Sequence, residues 1–77
     1  MENEIMEILR DIRPEFEFTD SENYIDDGYL DSFDLVTLVS EIEAKYGVLI
    51  DGLDVIPENF MSVDAICNLI NNSKKKE

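Results

Sequence analysis

Apolar residues recur at Ile5, Ile8, Leu9 and Ile12, the three- and four-residue spacing of a helix that buries one stripe. Glu2 and Glu4 open that run and Arg10 and Arg13 close it, matching the two ends of a helix dipole. Pro14 then stops it, so a first helix of about three turns is expected. A second, stronger pattern begins at Ser32, where Leu35, Leu38, Val39, Ile42 and Tyr46 form a broad stripe suited to core packing. Phe33, Val36 and Ser40 form a narrower stripe beside Asp34, Thr37 and Glu41, on a face expected to meet water. Gly47 is placed to end this helix as a left-handed cap. A last helix is expected after Ser62 as its cap, with Val63, Ile66, Cys67 and Ile70 on one face and Leu69 beside them.

Between these runs the periodicity fails. Pro14 to Asp31 holds turn-forming clusters at Thr19-Asp20-Ser21 and Asp26-Asp27-Gly28, with aromatics at Phe16, Phe18, Tyr24 and Tyr29. So long a connection is uncommon in a small domain, and the aromatics are expected to pin it to the core. Val48 to Ile56 is irregular, with a turn at Asp51-Gly52, and Pro57 to Phe60 suits one short helical turn because proline fits a first helical position. The expected fold is all-α, a small bundle of three main helices plus a short one. Residues 1–73 form a single domain, and Lys74-Lys75-Lys76-Glu77 is read as a disordered basic tail, with fraying from Asn71.

Charge narrows the function. Nineteen acids against six bases give a formal charge of −13, which argues against nucleic acid as a partner and favours basic proteins. Hydrophobic residues make up 44% of the chain and fall in periodic stripes, which speaks against disorder. No apolar run approaches the ~20 residues of a membrane span. Cys67 is the one cysteine, so no cystine scaffold is available. Its place on an apolar helix face marks it as a small core residue, and the chain is expected to be a soluble, cytoplasmic monomer without a signal peptide.

The candidate chemistry lies at Asp31-Ser32-Phe33-Asp34-Leu35, where a hydroxyl stands at the mouth of the second helix. Ser32, or Asp31 before it, could simply cap the helix. A catalytic nucleophile needs a base, and the chain has no histidine, while Lys45 lies far along the helix. A calcium loop fails in both registers. Starting at Asp20 puts Ile25 where glycine is required, and placing Gly28 there makes Ile25 a ligand. Covalent attachment of a phosphodiester-linked arm is a further reading beside capping, since backbone N–H groups and the dipole at a helix start favour phosphate.

Tyr29-Leu30-Asp31-Ser32-Phe33-Asp34-Leu35, followed by an amphipathic helix ending in Tyr46-Gly47-Val48, resembles the acyl carrier protein family. The resemblance spans nearly the whole chain: first helix, long acidic loop, serine-led helix, short helix and last helix. It implies that Ser32, with Asp31 beside it, takes 4′-phosphopantetheine from coenzyme A by the action of a phosphopantetheinyl transferase. The arm's thiol would then carry acyl or aminoacyl groups as thioesters, and the chain itself would catalyse nothing. It also implies docking of an adenylating ligase, acyltransferase or synthase with a basic surface onto Phe33, Asp34, Val36, Thr37, Ser40, Glu41 and Glu43. Phe33 stands where the family usually has leucine. Thr37, Ser40 and Lys45 stand where fatty-acid carriers often have acids or methionine. Leu30 to Phe33 and Pro57 to Phe60 look more like stand-alone carriers served by dedicated adenylating ligases, D-alanyl carriers among them. The alternative is an acidic helical adaptor that binds a basic protein and is never modified.

Overall fold

A computed structural model of the chain describes residues 1–76, with side chains through Lys74. Three helices make up its body: α1 over Glu2–Ile12, α2 over Ser32–Tyr46 and α3 over Val63–Lys76. Single 3-10 turns at Phe18–Asp20, Gly52–Asp54 and Pro57–Asn59 interrupt the connections, and the described residues contain no strand. The expected short fourth helix is thus one 3-10 turn, opened by Pro57. Among the described residues no helix is long and apolar enough to cross a membrane.

Each helix starts and stops for a local reason. α1 ends at Arg13, whose backbone N–H donates to the Leu9 carbonyl before Pro14 forbids continuation. α2 closes on Gly47 at φ 64°, a backbone state glycine adopts without a Cβ penalty. Ser62 caps α3, its Oγ accepting from the Ala65 N–H at 3.1 Å.

α1 packs against both α2 and α3, and the Pro57–Asn59 turn packs against α3. The stripes meet in one core, with Ile5, Leu9, Leu38, Ile42, Phe60, Ile66 and Ile70 fully buried. Cys67 lies half-buried against that core, and burial raises its thiol pKa, which lowers its reactivity. The long connection is pinned as its aromatics suggested. Phe16 stacks on Tyr29 with ring centres 4.4 Å apart, and Phe18 meets Tyr24 and Tyr29 edge-on. The Tyr24 carbonyl accepts from both Tyr29 and Leu30, while the Tyr24 N–H donates to the Met61 carbonyl. These bonds fix the approach to α2 against the segment leading into α3.

The end of the chain differs from its sequence reading. α3 does not fray at Asn71: it runs through Lys76, and Glu77 lies outside the described residues. Ser73 extends the buried stripe of Ile66 and Ile70, and the Lys74 ammonium sits 5.5 Å from the centre of the Tyr46 ring. Asn71 and Asn72 are weak helix formers, so the extension rests on these tertiary contacts. Tyr46 in turn donates to Glu4 at 3.1 Å, and Lys45 pairs with the same carboxylate, which ties the end of α2 to the start of α1.

Candidate functional site

The start of α2 is held by a reciprocal cap. Asp31 Oδ1 accepts from the Asp34 N–H at 3.0 Å, and Asp34 Oδ2 accepts from the Asp31 N–H at 3.1 Å. Asp31 is therefore the N-cap and Ser32 the first helical residue, so of the two residues that could cap this helix it is Asp31 that does. Ser32 is exposed, and among the described residues its Oγ takes part in no hydrogen bond. A hydroxyl at this position, spared from capping, is open to an incoming group.

Asp34 departs from its expected place on the water-facing stripe. It is only 8% exposed, because its carboxylate turns back to cap the helix and to meet Arg13. Arg13 Nε donates to Asp34 Oδ2 at 2.8 Å, while its two terminal nitrogens reach Asp31 Oδ2 at 3.2 Å and Glu15 Oε2 at 3.3 Å. One guanidinium thus bridges both carboxylates of the cap. The Asp34 N–H and then the Arg13 charge hold the Asp31 carboxyl below its usual pKa range, against the opposing effect of desolvation. The hydrogen bond to Asp34 and its charge raise Arg13 in turn.

Glu43 is tied to the fold through one of its oxygens. It is half-buried, and its Oε2 accepts from the Ile50 N–H at 3.0 Å, tying the segment after α2 back to the helix. The other members of the expected docking set stay on the surface. Phe33 is 83% exposed and Val36 64%, and Thr37, Ser40 and Glu41 are exposed beside them. Thr37 returns its hydroxyl to the Phe33 carbonyl at 3.2 Å, a local bond that fixes its rotamer.

Two features escaped the sequence. Arg13 reads there as a cation at the end of α1, and its contact with Asp34 across 21 positions has no local signature. Leu49 and Leu53 are also exposed apolar residues, Leu53 at 84%. Val48-Leu49-Ile50 is uniformly apolar, so nothing in the sequence marks Leu49 as the exposed residue between two buried neighbours. Comparison of the chain with family models, with curated proteins and with solved structures finds no match.

Proposed function

We propose that this chain is a carrier whose Ser32 is joined to 4′-phosphopantetheine and which presents thioester-bound cargo to partner enzymes. The observation that carries the reading is the division of labour at the start of α2. Asp31 and Asp34 do the capping, which leaves Ser32 an exposed and unengaged hydroxyl. A serine needed only for structure would be expected to use its oxygen on the backbone, as Ser62 does at α3.

The residues present fit the group. Ser32 Oγ would attack the β-phosphorus of coenzyme A, forming a phosphodiester as the pyrophosphate P–O bond breaks. Adenosine 3′,5′-bisphosphate would leave, and a base on the transferase would take the hydroxyl proton. When attached, the arm supplies a terminal thiol for thioester formation. The chain's own share is to position the serine and present a surface for docking. Phe33, Val36, Thr37, Ser40 and Glu41 form that surface in this reading. Its exposed apolar centre and a net charge of −13 suit a partner with a basic rim. Asp34 acts from within the fold instead, while Glu43 stays partly exposed with one oxygen on the Ile50 N–H.

The test is incubation with coenzyme A and a broad-specificity phosphopantetheinyl transferase, read by intact-protein mass spectrometry. One phosphopantetheine on the wild type and none on Ser32→Ala is the expected result. An unmodified wild type, or equal labelling of the alanine variant, overturns the carrier reading and leaves the unmodified acidic adaptor.

A further inference from the structure

Three carboxylates gather around one guanidinium at the start of α2. Asp31 precedes Ser32, Asp34 lies two residues after it, and Glu15 lies in the loop after α1, each within hydrogen-bond distance of Arg13. Asp31 and Asp34 must both be in place for the cap, yet they carry like charge and sit within hydrogen-bond reach of each other's backbone. Among the described residues Arg13 is the cation paired with them, and it comes from the other end of a long loop. Its backbone is fixed independently, as the residue that ends α1. The start of α2 is therefore held by a side chain whose own anchor is the end of α1.

The geometry points to Arg13 as the positioning residue for modification of Ser32: by bridging Asp31 and Asp34 it holds the first turn of α2 in the form that presents the serine hydroxyl. The inference rests on the carrier reading above and extends it from the modified residue to the one that places it. Two consequences separate this role from general support of the fold. First, among the described residues the side-chain hydrogen bonds and ion pairs of Arg13 go to Asp31, Asp34 and Glu15 and none goes to a side chain of the exposed Phe33 and Val36 face, so its loss is expected to act on the chemical step rather than on docking. Second, the need for Arg13 comes from the charge on Asp34, so removing that charge removes the need. Asn in place of Asp34 still accepts from the Asp31 N–H, which keeps the cap while relieving the repulsion.

The experiment uses the full chain as Arg13→Gln, Asp34→Asn and the double variant Arg13→Gln/Asp34→Asn. Initial rates of phosphopantetheine transfer are measured over a range of carrier concentrations. Amide hydrogen exchange at residues 31–35 is followed on the unmodified proteins. Arg13→Gln is expected to lower kcat about tenfold with KM for the carrier little changed, because misplacing a reacting group costs rate. Exchange at those residues should quicken in the same variant, while the α3 amides keep their protection. The double variant should recover most of both losses. A wild-type kcat for Arg13→Gln overturns the proposal, as does a loss that the double variant shares in full or one that falls on KM alone. A wild type that accepts no phosphopantetheine sinks the carrier reading instead. The exchange data then still decide whether Arg13 orders the start of α2: unchanged exchange in Arg13→Gln overturns that too.

Discussion

Leu38 and Val36 lie two positions apart on α2, and the fold gives them opposite fates. Leu38 is fully buried in the core with Ile5, Leu9, Ile42 and Ile66, whereas most of Val36 meets solvent. Leu38→Ala removes the outer atoms of a side chain enclosed on all sides, and helices packed on both faces of the core can close only part of the void. Such truncations cost about 2–5 kcal/mol, and the complete burial of Leu38 places it in the middle of that range. A chain of 77 residues has on the order of 4–12 kcal/mol of stability in all. A loss of about 3 kcal/mol lowers the melting temperature of so small a domain by roughly 12–24 °C. Val36→Asp removes no buried group, exchanges residues of similar helix propensity and should change stability by no more than about 0.5 kcal/mol. It places an unpartnered charge at the apolar centre of the inferred docking face, so transfer of phosphopantetheine should slow. Thermal melts by circular dichroism on the unmodified proteins, followed by timed mass spectrometry below the lower melting point, read both effects. The reasoning is refuted if Val36→Asp unfolds the chain, if it is modified at the wild-type rate, or if Leu38→Ala melts within a few degrees of wild type.

Other outcomes follow from the same contacts. Asp31→Ala should cost about 1 kcal/mol in chemical denaturation by removing the cap, whereas Ser32→Ala should stay within about 0.5 kcal/mol, since Ser32 caps nothing. The melting temperature should rise from low to physiological salt, more so with divalent cations, because ions screen the repulsion within a chain of charge −13; a flat response would speak against that repulsion. Glu41→Lys should slow association with the transferase without changing the melting curve, and stopped-flow measurements should show the deficit shrinking as salt is added. Burial first, and then the hydrogen bond to Glu4, push the Tyr46 phenol up to about 12. Between its ordinary value near 10 and that value the folded state holds a proton that the unfolded state has lost, so stability falls as pH rises through this window. Tyr46→Phe should show a shallower fall across the same window, and an unchanged slope would count against the assignment.

The parts legible in the sequence are those decided within one or two turns of chain. The stripes of α1 and α2, the left-handed Gly47 and the Ser62 cap all depend on neighbours a few positions away. The serine-led start of α2 was legible for the same reason, though whether Asp31 or Ser32 does the capping was not. That choice needed the reciprocal bonds with Asp34. Asp34 and Glu43 looked like surface acids because nothing local marks the Arg13 guanidinium or the Ile50 amide as their partners. The last turns of α3 were missed for a related reason. Asn71, Asn72 and the lysines read as a fraying end, while burial of Ser73 and the packing of Lys74 on Tyr46 come from other helices.

The aromatic contacts between α1 and α2 also change what kind of polymer that connection is. As a single flexible tether it would bear one large closure entropy and invite cleavage anywhere along its length. With Phe16, Phe18, Tyr24 and Tyr29 fixed against one another and Phe18 and Tyr24 buried, it becomes a series of short arcs between anchored points. Residues 19–23 and 25–28 each run between two such points, and the bonds of Ser21 to Asp27 and of Asn23 to Ile25, Asp26 and Asp27 join the two arcs. Because closure entropy grows only slowly with length, added residues there should lengthen an arc at small entropic cost while the buried aromatic anchors hold. Variation in length can therefore accumulate in this connection while the distance from the end of α1 to Ser32 stays constant.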